Sequence, residues 1–437
     1  MRRRASVAAV GVVAIACLWL SPAAAQQANF DDVVKRLRHP DPNERVSAMR
    51  LLAEAGYPEA IAPVAMLVTN PDEAVQMEAI DTEVGLYLGR RLSTRRRVAG
   101  VIEIRDRRLA EAAFAEGPGA VALYTVPPEL LTALVAAMRD DHPRVRLEAI
   151  YALGVILPPA LPLPDTAVLF PVVGILAERA ADVDPGQRLA AARVTARLFE
   201  ECRTGCGALD RTEIGDVLIG GMNDHEPAVR VASMRALGAL GYDRAVQALT
   251  ERFEYYKHGE SAVAALDALA RIAHRSSLPL FRSALESTDP EIRVLAIEGI
   301  ARGGDQAVVR EVEAKLGADR SPQVALALNY AAQWHSSGRD VNQLVNALGS
   351  ADTRKQAARY LIELGPRTAA SLLGYLPDPS PVIRATLCEV IGANGDAAAV
   401  SALQRRVEDR DPKVSVAAQR AIARIKARLG ALAPTAQ

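Results

Sequence analysis

The sequence predicts an all-α fold: a right-handed α-α superhelix, a solenoid of about eleven helical hairpins. Three observations predict it. A short phrase recurs at intervals of about thirty residues, its apolar residues fall at helical spacing, and signals that start and stop helices bracket each copy. The phrases are Pro143-Arg-Val-Arg-Leu-Glu-Ala-Ile, Pro227-Ala-Val-Arg-Val-Ala-Ser-Met, Pro290-Glu-Ile-Arg-Val-Leu-Ala-Ile, Pro322-Gln-Val-Ala-Leu-Ala-Leu-Asn, Pro381-Val-Ile-Arg-Ala-Thr-Leu-Cys and Pro412-Lys-Val-Ser-Val-Ala-Ala-Gln. Pro290 and Pro322 are 32 positions apart, and Pro381 and Pro412 are 31 apart. A fixed period in this range marks stacked supersecondary units.

Within each unit the elements follow from the residues. Aligned on the apolar residue before the usual Arg, the anchor column reads Val145, Val229, Ile292, Ile383 and Val414. Four places on stand Ala149, Ser233, Ala296, Leu387 and Ala418, and eight places on stand Leu153, Leu237, Ile300, Ile391 and Ile422. Steps of four put these side chains on one helical face, which must be buried against something. Asp140, Asp224 and Asp378 precede the phrase with Pro between, which suits an Asp N-cap and Pro in the first turn. Gly56, Gly241, Gly304, Gly365 and Gly395 follow, and glycine in a left-handed conformation closes helices. A second periodic segment then begins, such as the one from Val308 to Leu316. Each unit is therefore helix, tight turn, helix and glycine break. One hairpin cannot bury its apolar face alone, but stacked neighbours share a continuous core.

The Asp-x-x-Pro-x-Val-Arg phrase, the Ala-rich helices and the short unit resemble HEAT repeats. The resemblance is to the roughly thirty-residue bacterial variety named for phycobilisome lyases. It covers nearly all of the chain after residue 30 and implies a fold, because the residues it shares are structural. The composition agrees. Half of the 437 residues are hydrophobic but only 4% are aromatic, which suits tightly stacked Ala, Leu and Val helices. The units divide into N-terminal repeats over 26–89, an irregular basic insert or degenerate repeat over 90–126, the main repeat array over 127–430, and a disordered tail over 431–437.

Residues 1–25 read as a signal peptide: Arg2, Arg3 and Arg4, then an apolar run from Ala5 to Leu20, then small residues Ala23 to Ala25 for cleavage before Gln26. The expectation is export to the periplasm or beyond. A retained anchor is the runner-up, and lipidation at Cys17 is a weaker reading, lacking the usual upstream Leu. Without this segment the chain keeps 49 basic residues against 52 acidic, about −3, which gives no reason to expect nucleic-acid binding.

Three stretches depart from the repeat. The first runs from Arg90 to Tyr124 and includes Arg90, Arg91, Arg95, Arg96 and Arg97. It reads as a partner-contact patch for an acidic protein or anionic headgroups, or as a solvated face paired with Glu103, Asp106 and Glu111. The second, Leu157 to Asp165, holds four prolines and forms a stiff connector. The third places Cys202 and Cys206 with three residues between them, a candidate structural disulfide in an oxidising compartment, with two free thiols as the alternative. Cys388 falls in a core column as a small buried apolar residue.

No motif carries chemistry. There is no nucleophile elbow, no phosphate-binding loop and no His-Glu-x-x-His. Some enzymes with thirty-residue HEAT units bind a di-iron centre through several His-Glu pairs on successive repeats. This chain has one such pair, His225-Glu226. No catalytic residue, cofactor or metal is therefore expected. The recurring Arg146, Arg230, Arg293 and Arg384 form a ladder whose structural role is to bond the turn of their own or the next repeat, with a basic binding face as the alternative. The expected function is a non-catalytic scaffold that holds a protein or peptide partner in its curved groove. The alternatives are an adaptor touching a membrane surface through the basic 90–108 segment, and an enzyme or small-ligand binder with its site in the insert.

Overall fold

Each phrase after a proline becomes one helix, of about four turns except for the longer last one. The computed structural model describes residues 30–88, 97–98, 101–102, 109–115, 126–157, 166–200, 210–335 and 341–432. Among these, Pro42–Ala55, Pro143–Ile156, Pro227–Leu240, Pro290–Gly303, Pro322–His335 and Pro381–Asn394 are each 14 residues long. Proline stands at their first position, where its missing N–H breaks no helical bond.

These long helices stack into one layer. In packing order they are Pro42–Ala55, Glu73–Tyr87, Pro143–Ile156, Pro185–Phe199, Pro227–Leu240, Gly259–Ile272, Pro290–Gly303, Pro322–His335, Arg354–Leu364, Pro381–Asn394 and Pro412–Leu432. Another helix, in most units a shorter one, precedes each and backs it in a second layer, for example Val246–Tyr256 against the 259–272 helix and Ala397–Val407 against the 412–432 helix. The described residues thus form eleven hairpins in an all-α superhelix. The single exception is a two-residue antiparallel pairing of Arg97–Val98 with Val101–Ile102.

The anchor, +4 and +8 columns face the interlayer core. Val145, Ala149, Leu153, Ser233, Leu237, Ala296, Ile300, Leu387, Ile391 and Ala418 are all but inaccessible to water. Glycine lets adjacent long helices approach closely: a Cβ on Gly238 would lie 2.6 Å from the backbone of Ala268, and one on Gly392 would lie 2.8 Å from that of Ala421. The insert does not interrupt the stack, because the 73–87 helix packs directly on the 143–156 helix.

Two local expectations need correction. Asp140, Asp224 and Asp378 are not N-caps. The capping positions belong to His142, Glu226 and Ser380. Each Asp sits two residues earlier and accepts the N–H of that capping residue at 2.8–2.9 Å, which shapes the turn before the helix begins. Of the closing glycines, Gly56 and Gly241 are left-handed and Gly365 has φ of 62°, but Gly304 and Gly395 are extended.

Candidate protein-binding groove

The ladder arginines act locally in this geometry. Arg146, Arg230 and Arg384 each donate from Nη1 to the carbonyls five and six residues back, at 2.8–3.2 Å, and Arg293 donates to Ser287 at 2.8 Å. Arg45 and Arg188 make the same bonds, and Arg354 reaches the corresponding carbonyls through Nε and Nη2, although the sequence pattern around all three is degenerate. Three of the set also grip the next repeat: Arg188 holds Asp224, Arg293 holds Asp319 and Arg384 holds Asp409, each through two nitrogens.

Cys202, Cys206, Arg90, Arg91, Arg95 and Arg96 lie outside the described residues, and of Arg97 only the backbone is described. Cys388 is buried and reduced, and burial pushes its thiol up to about 12.

The face that sequence reasoning missed is built by the residues six and ten places beyond each anchor. In the 259–364 repeats these are Asp267 and Arg271, Glu298 and Arg302, Tyr330 and Trp334, and Arg359 and Glu363. They meet across repeats. Arg302 donates to both oxygens of Glu363 at 2.7 Å, 61 positions away. Arg359 returns the contact to Glu298, which also accepts from the Tyr360 hydroxyl at 2.6 Å and from Arg302 at 3.2 Å. Arg359 comes within 3.9 Å of Asp267, which pairs with Arg271. Tyr330 and Tyr360 stack at 4.2 Å beneath these charges.

Side chains on helices two and three repeats apart can touch only over the inside of a curve. The +6 and +10 columns therefore line the concave face. Glu298 and Arg302 are only 0% and 2% exposed, so this stretch of groove is filled by its own ion pairs, three carboxylates against three guanidiniums. Burial works against the Arg302 charge, but Tyr330, Glu363 and Glu298 beside it together hold the guanidinium well above its ordinary range.

At the N-terminal end the same columns are covered differently. The Leu109–Ala115 helix lies across the 73–87 and 143–156 helices. Its Ala110 N–H donates to Glu148 Oε1 at 2.6 Å, and its Leu109 backbone bonds to Asp81. Burial raises the Asp81 carboxyl well above the usual range, and the nearby Glu148 and Glu78 raise it further. At the other end Arg197 lies 5.0 Å over the Phe114 ring and donates to the Phe114 carbonyl at 3.2 Å. Phe114 meets Tyr151 at 5.3 Å.

Between these closed stretches, Arg193 and Arg235 occupy the +6 column in the open. Arg193 makes no ion pair among the described residues, and Arg235 has a solvent-exposed one with Glu260. Shallow cavities mark the two ends of the described array. One of about 470 Å³ is lined by Glu389, Lys413, Val416 and Arg420, and one of about 320 Å³ by Phe30, Val33, Leu51 and Tyr57.

Family comparison agrees with this architecture. Models of HEAT repeats match residues 30–83 and 130–159, and a model of the PBS lyase HEAT-like repeat matches residues 229–255. The chain carries HEAT repeats. A search of curated proteins finds no match. Among solved structures, the HEAT-repeat chain is similar to an engineered protein of the Northeast Structural Genomics Consortium, at 19% identity and a TM-score of 0.44, over 91% of this chain and 99% of that one. It is also similar to a chain in a structure of Kap95p with RanGDP, at 14% identity and a TM-score of 0.35, over 93% of this chain and 56% of that one. Among the described residues no helix of this HEAT-repeat array is long and apolar enough to cross a membrane, and no cluster of His, Cys, Asp and Glu could hold a metal ion.

Proposed function

We propose that the chain is an exported, non-catalytic scaffold that binds a protein or peptide partner along its concave face. The basic, apolar and small-residue segments of 1–25 support export. The repeat fold supports binding by many modest contacts over a long surface. The observation that carries the reading is the open concave stretch bearing Arg193 and Arg235, flanked on both sides by groove that the chain fills itself. Two exposed guanidiniums on a curved surface, Arg193 without an ion pair among the described residues and Arg235 in a solvent-exposed one with Glu260, suit an acidic partner segment, which they hold by charge-assisted hydrogen bonds.

Affinity capture from envelope extract tests this. The Arg193→Glu/Arg235→Glu variant should lose the captured partner by tenfold or more. Arg310→Glu, exposed on the outer layer, should retain it. Equal capture by both variants would place the docking face elsewhere.

A further inference from the structure

We propose that the Leu109–Ala115 helix is a ligand supplied by the chain itself, and that it marks the groove beneath it as a binding subsite for a short partner helix carrying one aromatic residue. The inference rests on the concave face being the docking face, and it names what one part of that face recognises.

The insert that contributes this helix is not needed to continue the stack, since the flanking long helices pack on each other without it. The helix instead lies on the concave face of three successive repeats, against Asp81 of the first, Tyr151 and, one turn before it, Glu148 of the second, and Arg197 of the third. The contacts are those of peptide recognition. Carboxylates receive backbone N–H groups at the helix start, where such groups lack intrahelical partners. A guanidinium meets a carbonyl at the helix end. Both arrangements give partners to backbone groups that the helix ends leave without intrahelical ones.

The aromatic seat is shaped. Gly154 lies in the column where Gly238 and Gly392 serve only the approach of the next long helix. At Gly154 an added Cβ would lie 2.8 Å from Phe114 as well as 2.9 Å from Val194. Tyr151 and the Arg197 guanidinium complete the wall around the ring. The remaining positions of the segment are mostly small, with Ala110 and Ala113 buried against the groove. The ligand class is therefore a short helix with small residues toward the groove and an aromatic one turn after the first buried alanine. Because the occupant is tethered, its high effective concentration keeps free competitors out until they outbid it.

A synthetic, fluorescein-labelled peptide of residues 105–118 is the probe. In the full-length Ala110→Pro/Phe114→Ala variant, the N–H that reaches Glu148 and the ring are both gone. Fluorescence anisotropy should show this variant binding the peptide at least tenfold more tightly than the wild type, and a peptide with alanine at the Phe114 position should not bind. Equal binding to both proteins, no binding to a variant that retains its helical circular dichroism, or indifference to the ring would overturn the proposal. Should the double variant fail to fold, Arg197→Ala in the otherwise intact chain decides. Hydrogen exchange over 109–115 should then speed up by tenfold or more while 227–240 is unchanged, and unaltered exchange over 109–115 would reject the seat. The peptide assay needs no natural partner, so its failure is read separately from failure of the capture experiment.

Discussion

Glu83 occupies the +8 column, where other repeats have Leu153, Leu237, Ile300, Ile391 and Ile422. It is fully buried, and neither carboxyl oxygen has a hydrogen-bond partner among the described residues. Burial raises its carboxyl well above the ordinary 4.5, so the native state keeps the proton that the unfolded chain gives up. The sign follows from linkage. Stability associated with this group is complete below about pH 4.5 and is lost as pH rises through the raised native value, because unfolding releases a proton over that window. Glu83→Gln removes the ionisation. Its stability relative to wild type should increase from pH 4 to pH 8, by about 1.4 kcal/mol for each pH unit lying between the unfolded and the raised native value. Urea unfolding at the two pH values checks this, and a constant difference between the proteins would show that Glu83 does not titrate.

Among the elements, the turn between layers is where the repeat is held in register. Arg384 joins the carbonyls of Asp378 and Pro379 to the carboxylate of Asp409 in the following turn, and this pairing lowers the Asp409 carboxyl below its ordinary range. Arg384→Ala should cost about 1.5–3 kcal/mol, the range for hydrogen bonds to charged groups. Arg384→Lys should recover only part of it, since an ammonium cannot fork between two turns. Thermal unfolding of the two variants measures both, and full rescue by Lys would mean that charge alone matters. This element was legible in sequence because its identity recurs: Pro, an apolar anchor and Arg return in one register. Arg188 and Arg354 reach the corresponding carbonyls but were missed, because Gln187 and Thr353 stand at their anchors. The concave lining was not legible for a related reason. Its +6 column includes Asp81, Tyr151, Arg193, Arg235, Asp267, Glu298, Tyr330 and Arg359, a mixture of acids, bases and tyrosines with no shared residue type, and its bonded partners lie 61 residues apart. The readable trace was the run of i, i+4 pairs of opposite charge at one register: Asp267 with Arg271, Glu298 with Arg302, Arg359 with Glu363. Such pairs ordinarily mark a solvated helix surface. Here curvature brings them together out of water, and curvature is a property of the whole stack.

At the scale of the molecule, the pairs from the 290–303 helix to the 354–364 helix bridge a whole repeat and so oppose straightening of the superhelix. A solenoid in which each unit touches only its neighbours bends through the sum of small interface changes. A contact that skips a unit fixes two of those interfaces at once. Glu298 and Arg302 are nearly inaccessible, so their charges are tolerated only because each is matched: Arg302 by Glu363 and Glu298, Glu298 by Arg359 and Tyr360. Removing one partner leaves the other charge buried. Glu298→Ala should therefore cost about 3–5 kcal/mol, more than the loss of any single exposed pair such as Arg235 with Glu260. Replacing both cross-groove arginines tests the geometric role. Arg302→Ala/Arg359→Ala should raise the radius of gyration in small-angle X-ray scattering while helicity persists, because the inside of the curve loses the bonds that hold its rim together. An unchanged scattering profile in a folded double variant would mean that packing between the long helices sets the curvature alone.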